Sequence, residues 1–233
     1  MEVKMGYREI IKSAIDAGRE VLPEHEAYQI CEEFGIVYSP TRFATTRDEA
    51  VEAAESLGYP VVLKVVSQAV VHKSDAGGVI VGIASQTEFK EAYDLLFATV
   101  KKKVGDVAID GVLVQKAMPK AAEVVVGGLK DDLFGPVVMF GSGGILVEIF
   151  KDVSFRLAPL DRDEAMRQIK ETKAYEILKG VRGAPPSDLD ALADLIVNAA
   201  ELLSAIPEIK ELDFNPVFAA SDGAVVVDAR MVI

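Results

Sequence analysis

A lysine stands inside an apolar, β-branched run, Val61-Val62-Leu63-Lys64-Val65-Val66, and the run opens into Ser67-Gln68-Ala69-Val70-Val71-His72-Lys73-Ser74-Asp75-Ala76-Gly77-Gly78. An apolar stretch of that length bounded by turn residues reads as a buried strand. An ammonium inside it must snorkel to water or meet an anion, because desolvating it unpaired is costly. The loop adds a histidine, a second lysine, the hydroxyls of Ser67 and Ser74, and a Gly77-Gly78 pair that would let backbone amides approach a ligand closely. These residue types outline phosphoryl transfer: a cation for phosphate beside an imidazole that is nucleophilic when neutral near pH 7.

A second cluster carries oxygen ligands: Glu211-Leu212-Asp213-Phe214-Asn215-Pro216, followed by Val225-Val226-Val227-Asp228-Ala229-Arg230. Strand alternation puts Asp213 and Asn215 on one face, and Asp228 at the end of the adjacent strand completes a hard-oxygen set. Mg²⁺ takes such a set, with one or two protein carboxylates and the remaining positions left to water and nucleotide phosphates. The competing reading is a plain β-turn, since Asn-Pro and Asp-Gly are ordinary turn dipeptides. Arg156 is a charge on an otherwise apolar strand, Asp152-Val153-Ser154-Phe155-Arg156-Leu157, and reads either as a phosphate contact or as the ion-pair partner of Asp152. His25 lies near a helix start and reads as solvated, while Cys31, on a helix face, reads as a core or interface thiol.

The elements that must hold these residues follow from periodicity and punctuation. Helices are expected over 7–21, ended by Pro23, and over 24–34, capped by Gly35. A short strand at 42–45 precedes a helix over 48–57, and the lysine strand is followed by a strand at 79–83, a long helix over 88–103 and a strand at 112–115. Beyond Met118-Pro119 strands dominate, at 123–126, 136–140, 145–150 and 154–157. Helices come next, over 163–170 with Asp161 as N-cap and over 188–205 with Ser187 as N-cap, and strands return at 209–213 and 224–228. This is an α/β, or α+β, pattern of two lobes, with ligands expected in a cleft between them.

Composition narrows the class. At 233 residues, half of them hydrophobic, the chain is long enough for a substantial core. A formal net charge of −12 disfavours nucleic acid as a partner, which would call for a basic patch. A single cysteine rules out an intrachain disulfide framework. The N-terminus has neither a signal-peptide core nor transit-peptide bias, and no apolar run approaches the roughly 20 residues that span a bilayer, so the expectation is a cytoplasmic protein with no membrane partner.

Lys64 on its strand, the His72 to Val79 loop, Glu123-Val124-Val125-Val126-Gly127-Gly128, the turn Phe140-Gly141-Ser142-Gly143-Gly144 and Leu212-Asp213-Phe214-Asn215-Pro216 together resemble an ATP-grasp protein. More narrowly, the chain resembles the beta subunits of ADP-forming acetyl-CoA or acyl-CoA synthetases over essentially its whole length, and more loosely the beta subunit of succinyl-CoA synthetase. The resemblance implies one ATP-grasp unit over 1–233, with a smaller lobe at about 24–114 and a larger one at about 115–233 joined by helix 7–21. It implies ATP or ADP with Mg²⁺, and a reaction in which acyl-CoA, ADP and phosphate give free acid, CoA and ATP.

By the same resemblance His72 is the phosphohistidine that passes the phosphoryl group to ADP, and Lys64 holds the nucleotide phosphates. Gln115, Lys116, Ala117 and Met118 form the hinge whose backbone meets adenine, and Glu123, taken as a buried carboxylate, accepts from ribose hydroxyls. Asp213, Asn215 and Asp228 sit at the metal end. No Gly-x-Gly-x-x-Gly fingerprint and no CoA-binding βαβ pattern is found; the family splits or fuses these parts, and the resemblance implies an alpha subunit carrying CoA and acyl-phosphate chemistry, in an alpha2beta2 assembly. Two rivals remain: a stand-alone ATP-grasp carboxylate ligase, and a nucleotide-sensing regulatory module.

Overall fold

Two left-handed glycines decide where the first helices stop in the computed structural model, which describes residues 6–70, 73–143, 152–181, 183 and 185–233. Helix α1 (Tyr7–Asp16) buries Ile10, Ile11 and Ala14. It closes on Gly18, at φ 64°, where the amides of Gly18 and Arg19 reach back to the carbonyls of Ile15 and Ala14 at 2.9 Å each. The helix expected to continue to Val21 therefore ends five residues earlier, because a left-handed glycine satisfies its last carbonyls before Pro23 is reached. Helix α2 (Glu24–Glu33) ends in the same way at Gly35, at φ 67°, with Ile36 N–H donating to the Cys31 carbonyl at 2.9 Å.

The described chain divides into two compact units: Ser39–Pro119, and a unit that runs up to Tyr38 and resumes over Lys120–Ile233. The smaller lobe expected from residue 24 is thus corrected, since α2 packs on the last strand of the larger unit.

The smaller unit contains β1 (Thr41–Ala44), α3 (Arg47–Leu57), β2 (Val61–Val66), β3 (Val79–Ile83), α4 (Gln86–Val104) and β4 (Gly111–Lys116). Its sheet has the order β1-β4-β2-β3 with antiparallel pairing throughout. Helix α3 starts in a capping box formed by Thr46 and Glu49. Alternation along the strands points Val61, Leu63, Val65, Val112 and Val114 into a core with Ala50, Ala54, Phe89, Leu96 and Val100 of the two helices. The intervening residues, Val62, Lys64, Leu113 and Gln115, occupy the opposite sheet face.

The larger unit adds β5 (Ala122–Asp131), β6 (Gly135–Ser142), β7 (Val153–Leu157), α5 (Arg162–Lys170), α6 (Ala174–Leu178), α7 (Leu189–Ala205), β8 (Glu211–Ala220), β9 (Gly223–Val226) and β10 (Ala229–Val232). The sheet order is β10-β8-β5-β6-β7, with β9 paired to β8, and all pairings are antiparallel. Helix α7 lays Leu192, Leu195, Ile196, Ala199, Leu202 and Leu203 on β5 and β6. A side chain at Gly128 would collide with Leu203, so the glycine sets how closely helix and sheet approach.

Several local expectations change. Asp188, not Ser187, caps α7 by accepting from Ala191 N–H at 2.9 Å, while the Ser187 hydroxyl donates to the Ala219 carbonyl. The strand expected at 224–228 stops at Val226 as β9, and after a break at Val227-Asp228 a further strand, β10, follows that was not expected. Helix α6 escaped notice because five residues are too few to show a helical period. The strand expected at 145–150 lies outside the described residues. Among those described, no helix is long and apolar enough to cross a membrane.

Candidate functional site

In the smaller unit the chemistry is organised around β2. Lys64 is paired in register with Leu113 of β4 on one side and Val79 of β3 on the other, so it is on an inner strand, not an edge from which it could snorkel sideways. It is 4% exposed. Gln115, fully buried on β4, is on the same sheet face, one register step away opposite Val62. The ammonium of Lys116 turns elsewhere: it donates to the carbonyls of Gly58 and Tyr59 at 2.7 and 3.1 Å, tying β4 to the end of α3. The Lys116 and Ala117 amides donate to the carbonyls of Pro40 and Pro60, and the Lys116 carbonyl accepts from Ser39 Oγ. Met118 follows two residues past the strand.

His72 lies outside the described residues, but both shoulders of its loop are described. Ser67 Oγ donates to the Ala108 carbonyl at 2.6 Å. Past the histidine, Lys103 Nζ donates to the Asp75 carbonyl at 2.9 Å, and the amides of Gly77 and Gly78 donate to the carbonyls of Ser74 and Lys73. A Cβ on Gly77 would collide with Thr99, and one on Gly78 with Val65. The glycine pair was expected to open amides to a ligand. It instead lets the loop close on itself and against α4 and β2.

In the larger unit the oxygen cluster forms at the break between β9 and β10. Asp213 on β8 lies in register between Gly127 of β5 and Arg230 of β10. Its carboxyl is pushed above the usual range, first by burial and then by the charge of Asp228, with Glu211 adding and Arg230 opposing. Asn215 is exposed, its amide donates to the Asp228 carbonyl at 3.2 Å, and Val227 N–H donates to the Pro216 carbonyl at 3.0 Å. Two half-buried carboxylates near enough to repel, with Asn215 tied to Asp228 through the main chain, suit a divalent cation that keeps its other positions for water and phosphate. Among the described residues no group of three or more His, Cys, Asp and Glu is placed to hold a metal, so Asn215 would have to serve as the third ligand. Arg230 was not singled out from the sequence. The signal was its spacing two residues after Asp228, which acquires meaning only once pairing sets Arg230 opposite Asp213.

Three sequence expectations are corrected here. Glu123 is exposed rather than buried, and it is its main-chain oxygen that is engaged, accepting from Gly143 N–H at 2.9 Å. Arg156 does not pair with Asp152: its guanidinium pairs with Glu164 at 2.5 Å and Glu171 at 2.6 Å and also donates to Ser154 Oγ. Asp152 accepts from Ser142 Oγ at 2.6 Å and from the amides of Lys173 and Ala174. Burial acts to raise its pKa, but these donors outweigh it and hold the carboxyl below the usual range. His25 is half-buried rather than solvated, and Cys31 is fully buried in α2, with its thiol pKa pushed up by burial.

A profile of the ATP-grasp domain matches residues 13–233. The beta subunit of ADP-forming acetate–CoA ligase I from Pyrococcus furiosus is 46% identical over 226 residues, covering 97% of this chain and 97% of that one. The ADP-forming acetate–CoA ligase I of Archaeoglobus fulgidus is 45% identical over 97% of this chain, which spans only 33% of that longer protein. Among solved structures, the dinucleotide-forming acetyl-coenzyme A synthetase 1 of Ca. Korarchaeum cryptofilum, in complex with coenzyme A and Ca-AMPCP, superimposes with a TM-score of 0.95. That match has 44% identity and covers 98% of this chain and 100% of that chain. A second structure of the same enzyme, with Mg-AMPPCP and its phosphohistidine segment pointing towards the nucleotide-binding site, gives a TM-score of 0.86 at 42% identity, over 98% of this chain and 100% of that chain. The chain belongs to the ATP-grasp family, among the beta subunits of ADP-forming acetate–CoA ligases.

Proposed function

We propose that this chain is the nucleotide-handling beta subunit of an ADP-forming acyl-CoA synthetase, which converts acyl-CoA, ADP and phosphate into free acid, CoA and ATP. The observation that carries the proposal is the oxygen cluster of Asp213, Asn215 and Asp228, two mutually repelling carboxylates and an amide set at a strand break. Mg²⁺ held there would neutralise phosphate charge, which together with positioning makes up most of phosphoryl-transfer catalysis. In the other unit, the Lys64 ammonium would take nucleotide phosphate oxygens. With the Lys116 and Ala117 amides engaged by Pro40 and Pro60, adenine would be met by the remaining main-chain groups of the stretch Gln115, Lys116, Ala117 and Met118. Glu123, exposed, would reach ribose hydroxyls from the start of β5. Arg156 is assigned to packing and is not proposed as a phosphate contact.

His72 would be the covalent carrier. Its imidazole nitrogen attacks the phosphorus of a partner's phosphohistidine, so that one N–P bond forms as the other breaks. A β-phosphate oxygen of ADP then attacks in turn, releasing the nitrogen and giving ATP. The partner is an alpha subunit that supplies the CoA site and acyl-phosphate chemistry, in an alpha2beta2 assembly. Relatives in which this chain corresponds to one third of a longer protein support such a partner and disfavour the stand-alone ligase.

The test is metal dependence. Asn215→Ala and Asp228→Ala, each assembled with the alpha subunit, should raise the Mg²⁺ concentration for half-maximal ATP synthesis by at least tenfold while the melting temperature stays close to that of the parent. Equal activity at limiting Mg²⁺ in both variants removes the assignment.

A further inference from the structure

The break that carries Asp228 is held from two sides. On one side is β8, through the Val227 N–H bond to Pro216 and the Asn215 N–H bond to the Asp228 carbonyl. On the other is α2, whose Tyr28, 1% exposed, donates its hydroxyl at 2.8 Å to the main-chain oxygen of Val227, 199 positions away. The same hydroxyl also reaches Oε1 of Glu24, itself buried, at 2.8 Å, so its single hydrogen is shared between the carboxyl oxygen and the Val227 oxygen. The Tyr28 ring is stacked on Tyr38 with centroids 4.6 Å apart and planes at 15°. Tyr38 in turn bridges Val226, whose N–H donates to the Val37 carbonyl at 2.9 Å.

Ring stacking alone sets the distance between α2 and the break but not the direction of the Val227–Asp228 peptide. The hydroxyl bears on that direction, because it is a donor aimed at the half-buried Val227 carbonyl. We propose that Tyr28 is a positioning residue for Asp228: by fixing the Val227 carbonyl, its hydroxyl sets the direction in which the next residue presents its carboxylate to a divalent cation. The inference rests on the assignment of Asp228 to that cation made above. Tyr28 does not touch the cation and acts only through the main chain. Productive ligand geometry tolerates about 10–20° of misdirection, and losing a group that orients a metal ligand typically costs about 10- to 100-fold in metal affinity.

Two variants separate the hydroxyl from the ring. Tyr28→Phe and Tyr38→Phe each keep the stacked pair and delete one hydroxyl, and that of Tyr38 donates to Glu32 at 3.2 Å, not to the break. Mn²⁺ is the probe, titrated into the alpha–beta complex in the presence of ADP, with free Mn²⁺ read by electron paramagnetic resonance. Tyr28→Phe should weaken Mn²⁺ binding about tenfold and leave metal-free ADP affinity unchanged, whereas Tyr38→Phe should leave both unchanged. In an Asp228→Ala background Tyr28→Phe should have no further effect on Mn²⁺, whereas a merely structural role would weaken both backgrounds alike. Equal Mn²⁺ affinity in Tyr28→Phe and Tyr38→Phe overturns the positioning role while leaving the cation site standing. Unchanged affinity in Asp228→Ala overturns the cation assignment and the positioning role together.

Discussion

Replacing Lys64 by Met keeps the unbranched stem and deletes the charge, and the position makes the consequence specific. Lys64 is flanked by strands on both sides and is 4% exposed on the sheet face opposite the helix-covered core. Its ammonium can therefore serve a ligand only from that face. A hydrogen bond to a charged group is worth about 1.5–3 kcal/mol, and each 1.4 kcal/mol is a factor of ten in affinity. The Met variant should thus bind ADP about 10- to 150-fold more weakly. Isothermal titration calorimetry with and without Mg²⁺ measures this, and circular dichroism checks that the strand survives. The Met thioether fills the same volume, so the far-ultraviolet spectrum should match that of the parent. ADP affinity within twofold of the parent, in a folded variant, would refute the assignment of Lys64 to phosphate.

The remaining predictions concern the charge network beside β7. Arg156 donates to Glu171 and Glu164, which lowers the pKa of both carboxyls below their usual range. A depressed folded-state pKa contributes stability that is present above the unfolded value of about 4.3 and lost as pH falls through the folded value. The gap in melting temperature between the parent and Arg156→Gln should therefore be steady from pH 7 to about 5 and narrow below about 4; a pH-independent gap would mean that the pairs contribute only packing. Asp152→Ala removes the acceptor for the Lys173 and Ala174 amides at the start of α6 and for the Ser142 hydroxyl. The loss is about 1–3 kcal/mol, or roughly 2–4 °C of melting temperature per kcal/mol in a chain of this size, and an unchanged melt would contradict it.

What could be read in advance was local. The β2 run, the Asp161 cap and the left-handed Gly35 each state their structure within a few residues, and the structure follows them. Misreadings arose where two local signals competed. Gly18 stopped α1 before Pro23 could, and Asp188 took the cap that its neighbour Ser187 also offered. For Arg156, spacing offers Asp152, four residues away, as an ion-pair partner beside the reading as a phosphate contact. In the fold its partners Glu164 and Glu171 are brought to it by α5, while Asp152 is drawn to the start of α6. The Gly77-Gly78 pair carried the right residue type for the wrong reason, since only packing against Thr99 and Val65 reveals what the missing side chains make room for. The oxygen cluster was legible as a spacing, but the opposition of Asp213 and Arg230 depends on a strand register that no single segment specifies.

The phosphoryl relay through His72 is tested most directly by following the phosphorus. The alpha–beta complex, incubated briefly with γ-labelled ATP and Mg²⁺, should place acid-labile, base-stable label on this chain. In the complex made with His72→Asn, this chain should carry none. Asparagine reproduces the hydrogen bonds of an imidazole but cannot accept a phosphoryl group, so the variant should also keep ADP affinity and lose acyl-CoA-dependent ATP synthesis. Turnover of His72→Asn at the parent rate, or label that never appears on this chain, would contradict the relay.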